Sequence, residues 1–142
     1  MAELREGGCQ CGGLRYGLSK PPLVTIACHC TDCQRQSGSA FGMTMVVPRD
    51  GFRWLAGKPR IYRTHGDSGT SKDCAFCPEC GNRIYNALGN LPDTLNLKPG
   101  TLDDTSDFAP AMHVWLSSRQ PWTPLLEGTR CFQKNPGATD PV

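Results

Sequence analysis

Short apolar runs alternate with polar stretches punctuated by glycine and proline, and the runs have the length and composition of β-strands. Leu14–Tyr16, Leu23–Ala27, Ala40–Val47, Phe52–Leu55, Arg60–Thr64, Arg83–Ala87, Thr94–Leu97 and Met112–Leu116 are rich in branched and aromatic residues, which suit a pleated, half-buried surface. One short helix is expected, opening at Thr31 or Asp32, which are good N-caps, and stopping at Gly38, which accepts the left-handed conformation of a helix end. Residues 65–73, with two glycines and two serines, read as a mobile loop. The segment after Cys131 is polar, carries two prolines and reads as a fraying tail. The pattern predicts a mainly β fold, with residues 1–130 as a single domain and 131–142 as its tail. A chain of 142 residues buries one core rather than two.

No apolar run approaches the ~20 residues of a membrane span, and Met1 to Gly8 lacks an apolar signal core, so no membrane partner and a cytoplasmic location are expected. The formal charge of +2 invites a nucleic-acid reading, but it counts every cysteine as neutral. Seven thiolates on two dications would turn +2 into −1. The basic residues, among them Arg15, Arg35, Arg53, Lys58, Arg60, Arg63 and Lys72, are also dispersed rather than striped, so no nucleic-acid partner is expected.

The nine cysteines change the picture most. Eight fall into three tight groups: Cys9-x-Cys11, Cys28-x-Cys30-x2-Cys33 and Cys74-x2-Cys77-x2-Cys80. Sulfurs this close in sequence can turn toward one ion, whereas disulfide partners usually come from distant parts of a chain. An odd count in a reducing compartment also argues against a disulfide framework.

An internal echo helps to pair the groups. Cys11-Gly12-Gly13-Leu14-Arg15-Tyr16 parallels Cys80-Gly81-Asn82-Arg83-Ile84-Tyr85: in each, a cysteine is followed by glycine and then by a strand ending in tyrosine. The glycine permits a left-handed backbone that lets amide groups turn back toward the sulfurs. Pairing the two knuckles gives a closed site from Cys9, Cys11, Cys77 and Cys80, with Cys74 as a candidate to displace Cys80. A site with four protein ligands is structural.

Cys28, Cys30 and Cys33 remain as a second set, and three ligands are what an open site needs. Cys28 and Cys30 point the same way if the strand from Leu23 continues through them, and Cys33 follows on the first helical turn. The alternative is a second closed site completed by His29, Cys74 or Cys131. His29 is the weakest of these, because in a strand it faces away from its two neighbours, toward a core or supporting role.

The order of these motifs resembles that of the glutathione-dependent formaldehyde-activating enzyme family, whose domain is shared with centromere protein V. The resemblance rests on Gly-x-Cys-x-Cys-Gly at Gly7–Gly12, Cys28-His29-Cys30-x2-Cys33 followed by Ser37-Gly38-Ser39, and Phe76-Cys77-Pro78-Glu79-Cys80-Gly81. Gly100-Thr101-Leu102-Asp103-Asp104, then His113 and Pro121-Trp122, complete it. It implies a β-tent fold of small antiparallel sheets, a structural zinc at Cys9, Cys11, Cys77 and Cys80, and a catalytic zinc at Cys28, Cys30 and Cys33. The implied activity is that of a carbon–sulfur lyase handling a thiol–aldehyde adduct, the type reaction joining glutathione and formaldehyde into S-hydroxymethylglutathione. The rival reading is a non-catalytic zinc-binding interaction module.

A three-thiolate site is a weak electrophile and suits a small thiol as fourth ligand better than it suits water. His113, on a predicted strand, is the candidate proton shuttle, with a core or supporting role as the alternative. Arg35 is the candidate anchor for a thiol carboxylate such as glutathione carries. Asp103 and Asp104 read as turn formers, and Trp122 as a core aromatic rather than a pocket wall.

Overall fold

The computed structural model describes residues 4–136. In chain order they form β1 (Arg5–Gly8), β2 (Arg15–Leu18), β3 (Val24–Cys28), α1 (Thr31–Ser37), β4 (Gly42–Pro48), β5 (Phe52–Ala56), β6 (Arg60–His65), β7 (Ser71–Phe76), β8 (Arg83–Leu88), β9 (Thr94–Leu97), β10 (Met112–Val114) and β11 (Arg130–Cys131). The fold is mainly β with one α-helix, as expected, and among the described residues no helix is long and apolar enough to cross a membrane. Contacts divide the chain into two compact units. One runs to Leu23 and again from Met45 to Asp107; the other runs from Val24 to Thr44 and again from Phe108 onward.

In the first unit, β1, β2 and β5 form a small antiparallel sheet in that order. The Met45–Pro48 part of β4 pairs with β9, and β9, β8, β7 and β6 follow, all antiparallel. Alternation places Met45 and Val47 of β4, and Leu95 and Leu97 of β9, in the core. Tyr16 is fully buried, stacked on Phe52 at 5.1 Å with Trp54 edge-on at 6.4 Å.

All eight expected strands are present within a few residues, and three further strands are not among those expected. β1 has no apolar side chain; it forms because backbone groups of residues 5–8 pair with β2 and its glycines admit close neighbours. β7 overlaps the expected loop. Only the tip of that segment turns, where Gly66 N–H bonds to Thr70 O and Gly69 N–H to Gly66 O. Beyond the tip, Arg63 and Asp73 face each other across the strands as an ion pair at 2.6 Å, a polar pairing that hydrophobicity does not reveal. β11 is a two-residue strand of the second unit.

That unit also corrects the antiparallel expectation, since β10 pairs in parallel with both β3 and β11. β10 stops at Val114 rather than Leu116. Trp115 takes φ +60°, and its N–H turns to Lys134 O. Of the segment read as a tail, residues 131–136 are described, and Phe132 is buried against Met112 and Val114; residues 137–142 lie outside the described residues. The helix ends where expected, at left-handed Gly38 (φ 62°), but its N-cap is Cys30 rather than Thr31 or Asp32.

The Thr101–Asp104 motif is a strap. Thr101 Oγ1 lies 2.7 Å from the Tyr16 hydroxyl, Leu102 bridges to Gly7, Asp103 N–H donates to Glu6 O, and Arg15 Nη1 donates to Asp103 at 2.9 Å. Asp104 accepts from Ser106 N–H at 2.9 Å. The Asp104 carboxylate serves the turn, as expected, whereas that of Asp103 holds Arg15 of β2. The strap leaves no room at Gly7, where a Cβ would meet the Thr101 carbonyl and lie 2.5 Å from the Tyr16 hydroxyl. Gly7→Ala is therefore expected to lower stability by about 1–3 kcal/mol, read as a reduced urea midpoint with zinc present. An unchanged midpoint would mean that the strap yields freely.

Candidate metal centres

The first cluster is built from two matching turns. Leaving β1, the chain reverses at Gly12 (φ +80°), with Gly12 N–H on Cys9 O. Leu14 N–H and Gly13 N–H then point back at the sulfurs of Cys9 (3.2 Å) and Cys11 (3.4 Å). After β7 the second turn repeats this at Gly81 (φ +76°), with Gly81 N–H on Cys77 O and Glu79 N–H on Cys77 Sγ at 3.4 Å. Gln10 N–H reaches the Asn82 side chain at 2.9 Å and ties the turns together. The left-handed glycines expected from the sequence echo are both present.

The four sulfurs of Cys9, Cys11, Cys77 and Cys80 lie within 4.8 Å of one another, with Cys9–Cys11 at 3.5 Å and Cys11–Cys77 at 3.7 Å. Four thiolates around zinc with bonds of about 2.3 Å stand roughly 3.8 Å apart at the corners of a tetrahedron, so the donor set fits that ion. The electrostatics point the same way. Burial pushes the Cys9 thiol up, but Leu14 N–H and the neighbouring thiols more than reverse this and leave it at about 6. Gly13 N–H favours the Cys11 thiolate, yet Cys9, Cys77 and Cys80 beside it drive that thiol up to about 12. Four such sulfurs cannot all ionise unless a cation joins them.

The second cluster sits where β3 becomes α1. Cys28 closes the strand, Cys30 caps the helix by accepting Cys33 N–H at 3.2 Å, and Cys33 lies in the first turn, buried. Gly42 leaves room for it, since a Cβ there would come to 3.0 Å from Cys33 Cβ. The three sulfurs lie within 4.8 Å of one another, and among the described residues no other histidine, cysteine or carboxylate joins them. Contact with Cys30 and Cys33, then burial, pushes the Cys28 thiol up.

The alternative ligands lie elsewhere. Cys74 is fully buried in β7, opposite Tyr62 and Asn86. Cys131 is in β11 opposite His113, its sulfur 3.8 Å from Thr129 O. His29 is fully buried, with its ring against Phe41 and its Nε2 2.9 Å from His113 Nδ1. Leu126 N–H donates to His113 Nε2 at 3.3 Å. His113 Nε2 therefore carries a lone pair, the neutral ring holds its proton on Nδ1, and that proton goes to His29 Nε2. Burial lowers the pKa of both rings, that of His29 to about 4 with help from His113 and Arg119. Both stay neutral near pH 7.

A groove of about 620 Å³ runs along α1, lined by Thr31, Gln34, Arg35, Ser39, Gln120 and Trp122 among others. Thr31 directly follows Cys30 in the chain, although none of the three cysteines lines the groove. Arg35 is exposed there, and Trp122 is 71% exposed, a correction to its expected place in the core. Its indole N–H donates to Gln120 Oε1 at 2.8 Å. Gln34 and Gln120 carry no sequence signal of a role; the nearest hint is that Gln34 stands one helical turn after Cys30.

A solved structure of similar fold is the crystal structure of a Rhodobacter sphaeroides protein from a structural genomics programme. It matches with a TM-score of 0.56 at 17% identity, covering 72% of this chain and 91% of that one. No curated protein matches in sequence. The family pattern described as "Glutathione-dependent formaldehyde-activating enzyme" matches residues 4–118, a span that includes both cysteine clusters, α1 and the strap. Over most of its length, then, this chain belongs to the glutathione-dependent formaldehyde-activating enzyme family.

Proposed function

We propose that the protein is a zinc-dependent carbon–sulfur lyase-type enzyme that forms or splits the adduct of a small thiol and an aldehyde. The type reaction joins glutathione and formaldehyde into S-hydroxymethylglutathione. The observation that carries this reading is the unequal count of sulfurs, four in one cluster and three in the other. In this reading Cys9, Cys11, Cys77 and Cys80 hold a structural zinc, and Cys28, Cys30 and Cys33 hold a second one. Zinc on three thiolates supplies one further position, in which an incoming thiol stays deprotonated near neutral pH.

The chain's own groups bind and orient. Arg35 meets a carboxylate of the thiol as a charge-assisted pair, and the exposed Trp122 face covers its apolar part. Both nitrogens of His113 are engaged and its side chain is buried, so it fixes the turn that carries Cys28 and Cys30. In the forward direction sulfur bonds to the aldehyde carbon, and the carbonyl oxygen takes up the proton that the thiol gives up. In the reverse direction the carbon–sulfur bond breaks and the hydroxyl proton leaves.

The test is adduct formation or breakdown followed by NMR, with formaldehyde and a panel of small thiols that includes glutathione. Acceleration over the protein-free rate with at least one thiol is expected. Protein that holds two zinc ions and accelerates none of them would instead be a binding module.

A further inference from the structure

The turn that carries two of the three sulfurs is held by a chain of side-chain amides. Gln34 Nε2 donates to the His29 carbonyl at 2.8 Å and to the Ser118 carbonyl at 2.9 Å. Both of its protons are thereby used, and its Oε1 accepts from Gln120 Nε2 at 3.0 Å. Gln120 Oε1 accepts in turn from the Trp122 indole N–H. The direction of the chain is forced. An indole N–H can only donate and a carbonyl can only accept, so each amide between them has one possible orientation.

His29 lies between Cys28 and Cys30 and is anchored three times. Its N–H donates to Val114 O at 3.0 Å, its ring is bonded by His113, and its carbonyl receives Gln34. The first two anchors bear on the Cys28 side, where β3 pairs with β10. The carbonyl belongs to the peptide that joins His29 to Cys30, so its direction fixes the peptide plane from which Cys30 departs, while the sulfur itself accepts Cys33 N–H. Gln34 is the only one of the three anchors that acts on that peptide.

We propose that Gln34 is a positioning residue for the second cluster. Through the His29 carbonyl it holds Cys30 at the separation from Cys28 and Cys33 that a shared ion requires. This rests on the reading of Cys28, Cys30 and Cys33 as a metal site, and it adds a residue that touches no sulfur. It also gives the groove a mechanical link to the cluster, since Gln120 and Trp122, which line the groove, orient Gln34.

The test is release of zinc from the purified holoprotein to a chromogenic chelator. Cys30→Ser identifies the release phase that belongs to the second cluster. Gln34→Met keeps the length of the side chain and removes both donors. It is expected to speed that phase by about tenfold or more, as loss of a hydrogen bond behind a metal ligand typically does, and to leave the other phase within about twofold. Gln34→Glu, which keeps the shape and also lacks the donors, should do the same and stands in if the methionine variant does not fold. Equal acceleration of both phases, or no selective change in either variant, would overturn the positioning role. If Cys30→Ser itself removes no phase, the metal reading of the cluster falls and the proposal falls with it. A selective loss in Cys30→Ser with unchanged Gln34 variants sinks the positioning role alone.

Discussion

Cys77→Ser is expected to lose the cooperative fold of its unit. Cys77 is 1% exposed, and its sulfur stands 3.7 Å from that of Cys11. The cluster joins the turn after β1 to the turn after β7, two segments that share only a few direct backbone and side-chain bonds. Binding of a structural zinc is worth on the order of 10–16 kcal/mol in small domains, while a whole domain is stable by about 5–15 kcal/mol. Taking away one of four thiolates removes a large part of the first quantity and so exhausts the second. The readouts are one zinc fewer per chain and collapse of the near-ultraviolet circular dichroism of the Tyr16, Phe52 and Trp54 cluster. Chelation of the wild-type protein should reproduce both. Retention of that signal, with a melting temperature within roughly 3 °C of wild type, would show that the first cluster does not hold the fold.

Cys30→Ser is expected to do the opposite, removing the chemistry and sparing the fold. Cys30 caps α1 through its sulfur, and serine is a good N-cap whose hydroxyl can accept the same Cys33 N–H. The helix start is thus preserved while the metal loses a thiolate. Adduct turnover should fall by at least about a hundredfold, equivalent to about 2.7 kcal/mol of barrier, with the near-ultraviolet signal intact. Turnover close to wild type would mean that the second cluster is not where reaction occurs. The contrast between the two serine variants tests the unequal division of the cysteines more sharply than either does alone.

The parts of this molecule legible in the sequence are those that short stretches decide. The knuckle glycines, the helix stop at Gly38 and the apolar strands follow from local rules, and so does the division of seven cysteines into four and three. Cys74 was not decidable in this way, because its spacing to Cys77 equals that of Cys77 to Cys80. Only the pairing of β7 with β6 and β8 turns Cys74 into the core and away from the four-sulfur cluster. The parallel pairing of β10 with β3 joins residues more than eighty positions apart, and no periodicity signals it. Trp122 was misplaced because its size argues for burial, whereas it stands exposed in the wall of the groove along α1. Gln34 was invisible for a related reason: a helical glutamine looks solvated until the carbonyls it bonds to are known.

The two clusters differ in span, and that difference bears on the order of metal loading during synthesis. Cys28, Cys30 and Cys33 lie within six residues, so a nascent chain displays the whole set as soon as that stretch leaves the ribosome, with almost no loop to close. Cys9 and Cys11 must wait for Cys77 and Cys80, which emerge nearly seventy residues later. If both clusters take zinc as proposed, the three-sulfur set would have its donors together before the four-sulfur set is complete.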